Sequence, residues 1–127
     1  MAKEQGGIQF EASSIYYDLG FLRAYDSYIF KYEDGNYDVE DIGLGKEEAI
    51  KAYTFINQLA SDYQFITSDI TSDTAKSNFQ NGVTAFYIGG PWDIDGLNSA
   101  GTPFAVAPMP QLNGKILLHR LELRLVL

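Results

Sequence analysis

Residues 81–96 read NGVTAFYIGGPWDIDG, and their reading decides the fold. Asn81-Gly82 is a helix stop, because glycine accepts the left-handed backbone that closes a helix. Val83 to Ile88 then form a short run, apolar apart from Thr84 and rich in β-branched and aromatic residues. Such a run reads as a strand buried on both faces. Gly89-Gly90 interrupts it. Pro91 suits the first position of a helix, where no N–H is needed. Gly90 to Asp95 should therefore turn into a short helix ending near Gly96-Leu97. Helix, buried strand, tight break and helix in succession point to an α/β arrangement. Trp92, the only tryptophan, stands directly after the break and is followed by Asp93 and Asp95. Two readings compete for it: a core residue that anchors the turn, or a flat surface held out to a ligand.

Upstream, Gly7 to Glu11 alternate apolar and polar residues, as a short strand does. Ala12-Ser13-Ser14 can cap a helix running through Tyr16, Leu19, Leu22 and Arg23. Tyr28–Tyr32 and Tyr37–Val39 flank Glu33-Asp34-Gly35-Asn36, and Asp-Gly between two β-prone runs predicts a hairpin. The spacing predicts a helix over 46–63. Ala49, Ala52, Tyr53, Ile56, Leu59, Ala60 and Tyr63 make one apolar stripe on it, and Glu47 and Glu48 favour its positive end. Tyr53 and Tyr63 on that stripe, with Tyr28 and Tyr32 in the hairpin, are expected to be core or half-buried. A shorter helix starts near Ser72-Asp73 and turns Ala75 and Phe79 inward. Downstream, Phe104 to Ala107 form the last strand, closed by Pro108-Met109-Pro110.

The chain has 127 residues, enough for one domain with its own core. Apolar residues make up 46% and aromatics 14%, which excludes disorder over most of the length. A net charge of −8 argues against nucleic acid and disfavours anionic membrane surfaces, since phosphate binding needs clustered Lys and Arg. The absence of cysteine removes disulfides, thiolate metal sites and cysteine nucleophiles, and leaves the redox compartment open. No apolar run approaches the ~18 residues of a membrane span. Residues 1–7 lack a hydrophobic core region, so no signal peptide is expected in this chain. Residues 116–127 differ from the rest: Leu, Ile and Val dominate, and Gly, Pro and aromatics are missing. Leu121, Leu123, Leu125 and Leu127 alternate with other residues, which suits a strand. The segment reads either as a last native element or as a tail foreign to the domain.

Few constellations carry chemistry. Asp93 with Asp95, Asp38 with Asp41, and Glu47 with Glu48 are acid pairs, but a glycosidase needs two carboxylates across one bond in a cleft, about 5–9.5 Å apart. Residues two apart at a helix start do not face each other. Asp62, Asp69 and Asp73 lack the alternating pattern of a calcium loop. His119, the only histidine, lies in the leucine-rich tail and can join neither a His-based metal cluster nor a triad. No phosphate-cradling glycine loop is present. What remains are the aromatics at strand-to-helix turns, where α/β folds gather binding residues. Tyr16 and Tyr17 follow the first strand and Trp92 follows the fourth. An aromatic face beside carboxylates suits sugars, with their C–H faces and hydroxyl rims.

"YIFKYEDGNYDVEDIG" (28–43), "KAYTFINQL" (51–59), "FQNGVTAFYIGGPWDI" (79–94) and "PFAVAPMPQLNGK" (103–115) together resemble the maltose/maltodextrin-binding proteins, the extracellular solute-binding subunits of ABC sugar importers. The resemblance covers about residues 7–115. It implies a periplasmic-binding-protein-like (type II) α/β fold of two lobes with sugar held between them. Residues 1–115 would form part of the C-terminal lobe, and 116–127 a tail of possibly non-native origin. The other lobe, a signal or lipid-anchor segment and the later helices of this lobe are expected to be missing. The resemblance implies that Trp92 stacks on a sugar ring and that Tyr16 touches sugar. Tyr17 and Asp93 complete the expected sugar-binding set, with no catalytic residue, metal or cofactor. Two departures stand out: Ser14 where the family can carry a sugar-binding Glu, and Ser72 where it can carry an aromatic.

The expected function is thus part of a binding protein, not an enzyme, that captures maltodextrin-type oligosaccharides. It would deliver them to ABC-transporter membrane subunits from an extracellular, cell-surface or periplasmic location. The alternative is a fragment of a glycoside hydrolase acting on α-glucans through Asp93 or Asp95. Half a cleft is expected to bind weakly, and exposed apolar surface to drive self-association.

Overall fold

The computed structural model describes residues 7–117 and the backbone of 123–126. The elements run β1 (Ile8–Gln9), α1 (Ile15–Ala24), β2 (Phe30–Glu33), β3 (Asn36–Ile42), α2 (Glu47–Ser61), α3 (Ser72–Gln80), β4 (Phe86–Gly89), α4 (Ile94–Ser99), β5 (Ala105–Ala107), β6 (Gln111–Leu112), β7 (Lys115–Ile116) and β8 (Leu123–Val126). A four-stranded sheet in the order β1-β4-β8-β5 is the centre. β1 and β4 are parallel, with Ile8 opposite Phe86 and Gln9 opposite Tyr87. Helices packed on this sheet make the molecule α/β, as residues 81–96 predict.

The core forms where the stripes meet. Phe10 and Phe21 stack at 5.1 Å, and Phe79 from α3 lies 6.0 Å from Tyr87 of β4. Ile88, Leu97 and Leu117 are buried among them. Ala49, Ala52, Ile56 and Leu59 of α2 are buried too, the face the 3/4 spacing marks. α3 starts at an N-cap Thr71 whose hydroxyl accepts from Thr74 N–H, and Gly82 beyond its end has φ +72°. The β2–β3 hairpin turns on Asp34 and Gly35, both at positive φ, as Asp-Gly predicts.

Several boundaries and burials differ from the sequence reading. α2 ends at Ser61, so Tyr63 falls outside the stripe. It is 54% exposed and stacks on Phe65 at 5.5 Å. Tyr53 is also exposed, and Tyr32, at the tip of a hairpin with water on both faces, is 62% exposed. β4 begins only at Phe86, because Thr84 turns its hydroxyl to the Gly7 carbonyl at 2.7 Å. The helix after Pro91 runs on to Ser99, past Gly96, where a Cβ would meet nothing.

Two strand pairings go beyond what local sequence signals predict. β6 and β7 form a small hairpin closed by Asn113-Gly114, both at positive φ. Asn113 Nδ2 donates to the Ala24 carbonyl at 3.1 Å and so fixes this hairpin to the end of α1. Leu123–Val126 of the leucine-rich tail enter the sheet between β4 and β5, antiparallel to both. Residues 1–6, 118–122 and 127, with the His119 reading, lie outside the described residues.

Candidate functional site

Because β1 and β4 are adjacent and parallel, the segments that follow them emerge side by side. After β1 the chain passes Ser14, the N-cap of α1, and presents Tyr16 and Tyr17 in the first helical turn. After β4 it breaks at Gly89-Gly90 and enters a 3-10 turn, Pro91–Asp93. Residues far apart in sequence therefore meet at the carboxyl ends of the strands, where open α/β sheets place ligands. The Tyr16 and Trp92 rings lie 6.0 Å apart, tilted by 55°. Tyr17 meets Tyr16 edge-on at 5.2 Å. Trp92 is 56% exposed and Tyr16 36%, whereas Tyr17 is buried.

The two glycines are required by contact. A Cβ on Gly90 would collide with the indole ring of Trp92. A Cβ on Gly89 would come within 2.5 Å of both the Tyr87 ring and Asp93 Oδ2. The indole thus lies flat over a backbone with no side chain. Asp93 is the underside of the turn and is 4% exposed. Its Oδ2 accepts from the Tyr87 hydroxyl at 3.1 Å and from Gly90 N–H at 3.3 Å. Its Oδ1 accepts from Lys76 Nζ of α3 at 3.2 Å. Burial, and then the Asp93 carboxylate, push the Tyr87 hydroxyl well above the ordinary tyrosine pKa, so it stays a donor to Asp93.

A second polar group lies beside Tyr17. Glu11 Oε2 accepts from the Ser72 hydroxyl at 2.5 Å and from Ser72 N–H at 3.3 Å. Burial raises the Tyr17 pKa, with smaller contributions from Asp93, Glu11 and Tyr16, while its hydrogen bond with Ser72 works the other way. The first two turns of α3 therefore hold both halves of the site: Ser72 reaches Glu11 and Tyr17, and Lys76 reaches Asp93. Glu11, Ser72 as a partner, and Lys76 escaped the sequence reading. Their pairings span 61 and 17 residues, and no local pattern announces them.

The structure brings Trp92, Tyr16, Tyr17 and Asp93 together in two roles. Trp92 and Tyr16 are exposed to solvent. Tyr17 backs Tyr16, and Asp93 has both oxygens engaged by protein donors. Asp95 is exposed and lies on the first turn of α4. Among the described residues no group of three or more His, Cys, Asp or Glu could hold a metal ion, and no helix is long and apolar enough to cross a membrane.

Residues 3–119 match the family described as bacterial extracellular solute-binding protein. The chain is 34% identical over 106 residues to the galactooligosaccharide-binding protein of Bacillus subtilis (strain 168), covering 80% of this chain and 25% of that protein. It is 29% identical over 106 residues to the maltooligosaccharide ABC transporter solute-binding lipoprotein of Streptococcus pneumoniae (strain ATCC BAA-255 / R6), covering 81% of this chain and 25% of that one. The structure superposes on the maltose-maltodextrin binding protein of Alicyclobacillus acidocaldarius with a TM-score of 0.88 at 31% identity, over 98% of this chain and 35% of that chain. The fold is thus part of the periplasmic-binding-protein-like (type II) α/β architecture. The chain spans about a quarter of the length of these curated relatives.

Proposed function

We propose, from the premise that this chain belongs to the bacterial extracellular solute-binding proteins, that it carries one wall of an oligosaccharide site. The observation that carries this reading is the exposed Tyr16–Trp92 ring pair at the carboxyl ends of two parallel strands. Two tilted rings 6.0 Å apart fit the apolar faces of adjacent sugar units, and a glycine-floored indole leaves its outer face clear. In the whole protein this wall belongs to the C-terminal lobe, and a second lobe closes over the sugar. The ligand class is a maltodextrin-type or related oligosaccharide such as a galactooligosaccharide. The whole protein delivers it to ABC-transporter membrane subunits from an extracellular, cell-surface or periplasmic position, with a lipid anchor. One wall alone binds weakly, because the opposing contacts and the closure step are supplied elsewhere.

Binding fits this site better than hydrolysis. A hydrolase needs one carboxyl free to protonate a leaving group and another across the bond. The Asp93 carboxylate instead takes three protein donors, and none of the relatives described above supports a glycoside hydrolase. Saturation-transfer NMR with maltotriose and with a galactooligosaccharide tests the reading. Sugar ring protons should receive saturation from the protein, and Trp92→Ala should remove it. Equal transfer in Trp92→Ala would exclude this wall as the site.

A further inference from the structure

β4 and β5 do not pair with each other. Each pairs with β8, which is antiparallel to both, so β4 and β5 run in the same direction with a gap one strand wide between them. Leu125 is opposite Tyr87 on one side and Val106 on the other. Among the described residues β5 has no other strand neighbour. On its far side β4 is paired by β1 only at Phe86 and Tyr87. Phe86 N–H donates to the Gly7 carbonyl, so the backbone groups of Phe86 and Ile88 face β1, while those of Tyr87 and Gly89 face β8, opposite Leu125 and Leu123. Tyr87 and Gly89 are buried, and β8 is the strand that meets their backbone groups. Gly89 leads directly into Gly90-Pro91-Trp92.

We propose that the gap between β4 and β5 is an acceptor site for one antiparallel strand, that the chain's own Leu123–Val126 occupies it, and that this occupancy holds the Trp92 turn in place. Recognition is by main-chain ladder, so the occupant must be extended, antiparallel and free of proline along its length. The occupant is therefore a working part of the platform. This coupling concerns the turn itself and does not depend on which ligand Trp92 meets.

The chain contains no cysteine, so a designed pair gives one disulfide only. Val106→Cys with Leu125→Cys places thiols at facing positions. Under mild oxidation it should close within one chain, giving a monomer on a non-reducing gel, while Val106→Cys with Leu123→Cys should close at least tenfold more slowly. Failure to close, or closure only between chains, would overturn the proposal. Leu125→Pro removes a central N–H from the ladder. Amide exchange at Tyr87, Gly89 and Ala107, whose backbone groups face β8, should then quicken at least tenfold, and Trp92 emission should become more accessible to acrylamide, with α2 amides still protected. Unchanged exchange and emission would refute the coupling. If Leu125→Pro also strips α2 of protection, the disulfide pair decides, together with acrylamide quenching of Trp92 in its oxidised form, which should match the unsubstituted chain.

Discussion

Asp93 shows how much one side chain does beneath an exposed ring. Its carboxylate gathers a hydroxyl, a main-chain N–H and an ammonium from three places in the chain. Asp93→Ala leaves the buried Tyr87 hydroxyl and the Gly90 N–H without partners, which should cost about 1–3 kcal/mol in urea unfolding. Asp93→Asn keeps an acceptor oxygen and should cost less. Asp18 makes a different prediction. It is buried, its Oδ1 has no partner, and burial pushes its carboxyl from 3.8 up to about 7, against a smaller opposing effect of the Tyr53 hydrogen bond. The folded chain therefore holds a proton that the unfolded chain releases above about pH 4, so stability should fall as pH rises from about 4 to 7. Thermal melts between pH 4 and 8 should show this decline, and Asp18→Asn should flatten it. A wild-type melting temperature that rises through this range, or an Asn variant with the same slope, would contradict the assignment.

At the scale of elements, α3 connects the two halves of the site. Its cap, Thr71, bonds Thr74 N–H, so Thr71→Ala should destabilise by about 1 kcal/mol. It should also loosen Ser72 from Glu11, read as faster exchange of the Ser72 amide. Most elements were legible because their signals are local. Asp34-Gly35, the 3/4 stripe of α2, Asn81-Gly82 and Gly89-Gly90-Pro91 each dictate a backbone within a few residues. Asn113-Gly114 is an equally local hairpin signal, set soon after Pro108-Met109-Pro110, which by itself reads as the end of a strand. Tyr63 continues the spacing of a stripe whose helix stops two residues earlier, because periodicity does not reveal where a helix unwinds. The slot of β8 was beyond local reading: alternation in residues 121–127 suits a strand, but nothing in it names the partners. The same holds for the site. Trp92 and Tyr16 stood out by position, whereas Glu11, Ser72 and Lys76 join it only through pairings made by the parallel β1–β4 contact.

At the scale of the molecule, the proposed function makes the ring pair one open wall, and the chain carries considerable apolar surface elsewhere. Val39, Ile42, Ile50 and Val106 are all exposed. Sedimentation velocity at rising concentration should show a faster species, favoured by added salt because the net charge of −8 opposes contact. A strictly monomeric profile would count against such association. An open wall also limits affinity: maltotriose should bind with a dissociation constant near or above about 1 mM, equivalent to about −4 kcal/mol. Micromolar binding in calorimetry would mean that the site is complete without a second lobe. The claim that Trp92 and Tyr16 act together is tested most directly by titrating maltotriose against the emission of Trp92, the only tryptophan. The account predicts a saturable change for the unsubstituted chain, and a curve shifted about 2- to 10-fold weaker for Tyr16→Ala, as the loss of one aromatic contact implies. No saturable change, or the same curve for Tyr16→Ala, would contradict it.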